Sequence, residues 1–147
     1  MPANTDPIYS RLAQLGFVAV TQANTSTQGG GTIGTDIFLA FTADSTNGSF
    51  VQYGMWVLAE STLGLSANSV GSVFISTQAS GATTSSNTHL YRSVALPAQT
   101  PSTTVAMVPI IVPFNFSLEA SQTLLVTNTV APNANQHWKF VVVAGKY

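Results

Sequence analysis

From Phe17 onward, apolar residues fall in short runs rich in Val, Ile, Phe, Thr and Tyr, separated by clusters of Gly, Asn, Pro and Ser. Runs of that length and composition, bounded by turn formers, read as strands. They are expected near 17–22, 35–42, 49–59, 70–78, 88–96, 103–116, 122–130 and 137–144. Period-two spacing is clearest at Ile37, Leu39 and Phe41, expected on one face of a strand, and at Leu90, Arg92, Val94 and Leu96 on another. About eight strands with almost no helix predict an all-β antiparallel sandwich, and a jelly roll is the natural eight-stranded arrangement. An immunoglobulin-like sandwich is the second choice; the chain lacks the Cys…Trp…Cys spacing of its disulfide-bonded forms.

The punctuation between runs refines this picture. Ala43 to Gly48 ends in Asn47-Gly48, a pair that accepts the positive φ of tight turns, and predicts a turn over 43–48. Pro109 and Pro113 cannot donate to a ladder, so the sixth run is expected at a sheet edge or bent around its prolines. The Thr/Gly-rich segment 21–34 and the segment 79–87 offer few side chains to hold a core, and each is expected to be mobile or pinned by a neighbour. Ahead of the strands, Asp6 suits an N-cap, Pro7 the first helical position, and Ile8, Leu12 and Leu15 recur at helical spacing before Gly16. This reading divides the chain into an N-terminal arm or short helix over 1–16 and a single sandwich domain over 17–147.

Composition narrows the functional classes. Of 147 residues only nine carry a formal charge, while 45% are hydrophobic and the polar remainder is mostly Ser, Thr, Asn, Gln and Gly. A net charge of −1 and four scattered basic residues give no electrostatic basis for nucleic-acid binding. The longest apolar runs fall short of the roughly 20 residues that span a bilayer, and the first residues lack the basic start of a secretory signal. The chain is therefore expected to be soluble, with neither a nucleic-acid nor a membrane partner. With no cysteine, it has neither disulfides nor thiolate metal sites. A weakly charged Ser/Thr/Asn/Gln surface repels neighbours little and favours a subunit of a larger assembly.

Candidate chemistry is sparse. His89 and His137 have no partner ligands at metal-binding spacing. Glu60 and Glu119 are the only glutamates, and nothing in the sequence pairs them as glycosidase carboxylates must be paired. Gly29-Gly30-Gly31-Thr32-Ile33-Gly34 is followed by no helix pattern that could receive a phosphate. No Gly-x-Ser-x-Gly elbow occurs. The expectation is a non-enzymatic protein with no catalytic residues, no cofactor and no metal. Trp56 reads as core. Trp138 beside His137 is the better candidate for a sugar-binding platform, although aromatics more often pack sandwich cores.

The run Asp36-Ile37-Phe38-Leu39-Ala40-Phe41-Thr42-Ala43-Asp44, followed by Asn47-Gly48-Ser49-Phe50-Val51, resembles a family of small jelly-roll decoration (cement) proteins of tailed-bacteriophage heads. The likeness continues at Val70 to Ile75, at Thr88 to Pro97 and in the apolar end from Trp138 to Tyr147, covering most of 35–147. Ser93 departs from the pattern, standing where an acidic residue is expected after Arg92. The resemblance implies a structural virion protein on the outer surface of the capsid. It would bind the major capsid protein, self-associate as a homo-oligomer, expected to be a trimer, and resist internal genome pressure. Pro7, Ile8, Tyr9, Arg11 and Leu12 are the candidate contacts to the shell or to a neighbouring subunit. The alternative expectation is a carbohydrate-binding module of a phage fibre or other surface structure, using Trp138 and His137.

Overall fold

Extended backbone is already established at Leu12, inside the stretch whose spacing suggested a helix. The computed structural model describes residues 12–60, 65–102, 104–131 and 136–147. Its strands are β1 (Leu12–Val20), β2 (Gly31–Thr32), β3 (Phe38–Thr42), β4 (Ser49–Glu60), β5 (Ser69–Ser76), β6 (Ala82–Thr83), β7 (Thr88–Leu96), β8 (Ile110–Leu118), β9 (Thr123–Asn128) and β10 (Gln136–Lys146). The helix reading thus fails at 12–16, and 1–11 lie outside the described residues. Leu12 and Leu15 fit a strand as well as a helix, and nine residue pairings with β10, from Leu12 opposite Lys146 to Val20 opposite Trp138, decide for the strand. Gly16, a poor helix former, turns its Cα toward the Ala40 carbonyl and the Phe41 ring, where a Cβ would collide.

Two four-stranded antiparallel sheets form the body, in the orders β1-β10-β4-β8 and β3-β9-β5-β7. The pairings are nested: β1 with β10, β3 with β9, β4 with β8 and β5 with β7. A long hairpin folded over so that its halves also meet through β10–β4 and β9–β5 has this topology, which is that of an eight-stranded jelly roll. The predicted turn at 43–48 forms, with Gly48 at φ 74° and its N–H donating to the Asp44 carbonyl at 3.1 Å. It joins β3 to β4, in different sheets, so it is a corner rather than a hairpin. The proline-bearing run is an edge strand, as its prolines require, and it starts at Ile110 rather than near 103.

The core between the sheets holds Trp56, Phe140, Val73, Leu96, Val112, Leu124 and Val126, all with no exposed surface. Each such side chain contributes about 1.5–3 kcal/mol by leaving water. Trp56 and Phe140 rings meet at 5.0 Å. Gly54 and Gly71 leave space for these rings, since a Cβ at Gly54 would strike Phe140 and one at Gly71 would strike Trp56.

Register shifts split both alternating sets predicted from sequence. Between Leu39 and Phe41 the pairing with β9 slips. Phe41 therefore joins the main core while Ile37 and Leu39 pack on the outer face against Phe74 and Leu125. A second shift between Val73 and Phe74 sets Leu90 opposite Phe74, whereas Val94 and Leu96 pack on the main core.

The Thr/Gly-rich segment is pinned by its own chain. It crosses the outer face of the β3-β9-β5-β7 sheet, starting where the Asn24 N–H donates to the Asn128 carbonyl at 2.8 Å. Its β2 pairs with β6 of the 79–87 segment, and the Thr83 hydroxyl sits between the carbonyls of Gly29 (2.6 Å) and Gly31 (3.1 Å). Ile33 and Ile37 anchor its return in the small outer cluster. One sheet thus carries its own cover.

Candidate functional site

Outward side chains of the β1-β10-β4-β8 sheet line up by cross-strand register into apolar rows. Leu15, Val143, Tyr53 and Pro113 form one, and Phe17, Val141, Met55 and Ile111 the next. Ala19, Lys139 and Val57 form a third, and Lys139 is the only formal charge in these rows. The side chains between them in sequence point into the core: Trp56 and Leu58, Phe140 and Val142, Val112 and Phe114 are all buried. The outward set remains in water, with Leu15 at 72%, Phe17 at 74% and Ile111 at 61% exposure, and Tyr53, Met55, Val57, Val141 and Val143 half-buried among their neighbours.

Strand spacing makes this face roughly 20 Å by 20 Å, or about 400 Å². The largest apolar patch on a typical monomer is of about that size and is often functional. The opposite outer face is unlike it: Ser72 bonds Ser93, Ser76 bonds Thr88, and the 21–37 segment lies across it.

The two sides of the sandwich also differ. Where β7 and β8 end the sheets, the Tyr91 hydroxyl donates to the Pro113 carbonyl at 3.0 Å and its ring packs against Phe114 and Phe116 at 5.0 and 5.2 Å. Pro113 and the positive φ of Asn115 (52°) disrupt β8 as a pairing template. Where β1 and β3 end the sheets, an open groove of about 460 Å³ runs between Gln14–Phe17 and Leu39–Thr42. Strand β1 contains neither proline nor charge. Among the described residues, the apolar face therefore continues onto an edge with none of these protections.

The residues singled out from sequence are dispersed. Pro7, Ile8, Tyr9 and Arg11 lie outside the described residues, and Leu12 opens β1 with 62% exposure. Trp138 is no ligand platform: alternation along β10 turns it inward between Val20 and Leu58, leaving 2% exposed. His137 faces the other way, half-buried opposite Ala59, so the pair does not converge on a ligand. Glu60 ends β4 while Glu119 follows Leu118, which pairs with Ser49 at the other end of that strand. The 12 residues of β4 separate them by about 35 Å, far beyond the ~5–10 Å that glycosidase carboxylates need. His89 and His137 likewise sit toward opposite ends of the sandwich. Among the described residues no three His, Cys, Asp or Glu side chains gather to hold a metal.

Among the described residues, the strongest electrostatic feature lies at a corner. Lys146 Nζ is 2.7 Å from Asp44 Oδ2, and the Thr46 and Asn47 N–H groups donate to Asp44 Oδ1, both at 3.0 Å. The Lys146 hydrogen bond foremost, then those backbone donors, hold the Asp44 carboxyl down at about 2. This fixes the 43–48 turn to the end of β10 and offers no exposed reactive group.

Sequence reasoning had passed over the apolar face although its signal was present. Phe50 to Leu58 and Trp138 to Ala144 are nearly continuous apolar runs. In an antiparallel sheet with one wet face such strands should alternate. Their failure to do so in the two central strands is the mark of a sheet apolar on both faces. Comparison with protein-family models and with curated proteins finds no match for this chain.

Proposed function

We propose that this protein is a non-enzymatic structural subunit that decorates and stabilises the outer surface of a phage capsid, binding the major capsid protein through the outer face of the β1-β10-β4-β8 sheet. The observation that carries the reading is the contrast between the two outer faces. One is Ser/Thr-rich and covered by the chain's own segment 21–37, and the other is apolar, nearly uncharged and, among the described residues, left uncovered. A surface of that kind suits permanent burial against protein, because docking strands no unpaired charge beyond Lys139. The likeness of 35–147 to head decoration proteins directs the partner to a capsid shell. On such a lattice many equivalent contacts of modest strength add through avidity.

The test is co-sedimentation of the purified protein with isolated heads of the phage from which it comes. Saturable binding at a ratio comparable to the shell subunits supports the reading. Failure to bind heads in either the unexpanded or the expanded state overturns it.

A further inference from the structure

The edge strand β1 is self-complementary, and we infer that two copies of this chain join edge to edge through antiparallel β1–β1 pairing centred on Gly16. In Leu12-Ala13-Gln14-Leu15-Gly16-Phe17-Val18-Ala19-Val20 the outward positions Ala13, Leu15, Phe17 and Ala19 read with the same residue character in both directions about Gly16, and only the inward pair Gln14 and Val18 differs in polarity. Antiparallel pairing of a strand with its own copy must centre on a residue, and only the register centred on Gly16 pairs all nine. It sets Leu15 opposite the partner's Phe17, and Ala13 opposite the partner's Ala19. Two exposed apolar side chains per copy (72% and 74%) thereby become cross-strand neighbours twice over. A two-fold interface requires one patch to complement itself, and the β1 sequence meets that condition.

Charge, area and the alternatives favour a second copy as occupant. The strand and the groove beside it, with Leu39, Ala40, Phe41 and Thr42, carry no formal charge, so pairing desolvates none. Nine residues at strand rise span about 30 Å, and two sheets about 10 Å apart with their side chains present an edge roughly 20 Å deep. That buries about 600 Å² per copy, or about 1,200 Å² together, where stable specific interfaces begin. The β7/β8 side is sealed by Tyr91 and Pro113, which leaves the β1/β3 side as the place for edge growth. Pairing there joins the two apolar faces into one eight-stranded sheet and replaces the three-fold expectation with two-fold symmetry. It stands independently of what covers the face.

Sedimentation equilibrium of the full chain tests this, together with three variants. The wild type is expected to be a dimer, and Phe17→Lys to raise the dissociation constant at least tenfold with its circular dichroism unchanged. Ile111→Lys, on the far strand β8, is expected to remain dimeric. Ala13→Cys combined with Ala19→Cys, in a chain that has no other cysteine, is expected to yield a reducible covalent dimer on mild oxidation, since facing Cα atoms ~4.5–5.5 Å apart suit a disulfide. A monomeric or trimeric wild type, a Phe17→Lys variant that dimerises as well as wild type, or a cysteine variant that dimerises without cross-linking would each overturn the proposal.

Discussion

Adjacent residues of β8 separate the roles of the two sheet faces. Ile111 points outward with 61% exposure, and Val112 points inward with none. Full burial of an aliphatic side chain yields about 1.5–3 kcal/mol, so Ile111, with about two-fifths of its surface withdrawn, contributes only about 0.6–1.2 kcal/mol to folding. Ile111→Lys should therefore lower stability by about 1 kcal/mol or less. In a docked complex the same substitution forfeits the remaining apolar burial, about 1–2 kcal/mol, and forces an ammonium group out of water at a cost of several kcal/mol. A total above ~3 kcal/mol weakens shell binding by about 100-fold or more. Val112→Ala behaves oppositely, costing roughly 1–3 kcal/mol of stability through lost burial and a small cavity, with binding per folded molecule unchanged. Denaturant unfolding followed by the fluorescence of Trp56 and Trp138, both buried, gives the stabilities, and co-sedimentation with heads gives the binding. Wild-type affinity in Ile111→Lys, or a destabilisation above about 3 kcal/mol, refutes the division of labour between the faces.

Further predictions concern what shapes the sandwich. Gly54→Ala drives a methyl group into the Phe140 and Phe114 rings and is expected to cost about 1–3 kcal/mol, read as a lower unfolding midpoint with the native spectrum retained. Ile37→Ala empties the centre of the outer cluster with Phe74 and Leu125. It should cost about 2–5 kcal/mol and make the 21–30 segment the first site of protease cleavage. Asp44 titrates at about 2 in the folded protein against an ordinary 3.8. Its stabilising contribution is therefore complete above the ordinary value and is lost as pH falls from there toward about 2. Asp44→Asn should flatten the fall in urea midpoint across that acid range, and an unchanged slope would show that Lys146 does not hold the carboxyl.

How far the fold could be read from sequence depended on whether the signal was local. The runs that became β4, β7 and β10 were legible because 9 to 12 residues rich in apolar and β-branched side chains leave few other options, and the 43–48 turn because Asn-Gly admits few conformations. The faces of β3 and β7 were not, because bulges at Leu39/Phe41 and Val73/Phe74 reverse the alternation and depend on partner strands far away in sequence. Residues 12–16 satisfied both a helical and an extended spacing, and pairing with β10 settled the matter. Segment 21–34 looked uncommitted among its Thr and Gly, yet Ile33 within it and Ile37 just beyond it fasten it once the sheet beneath supplies Phe74 and Leu125. Val105 and Val108 show the reverse: they read as strand but lie exposed in the connection before β8, 68% and 69% accessible. Trp138 was weighed as a sugar platform because polar residues and His137 flank it within its expected strand, whereas the inward turn of its position in the β10 ladder makes it core.

The most direct measurement is the number of copies of this protein per virion purified from its source, counted by quantitative mass spectrometry against the major shell protein. A decoration subunit is predicted to be present in numbers comparable to the shell subunits. A handful of copies, or none, would contradict a capsid-decorating role and return the apolar face to some other partner.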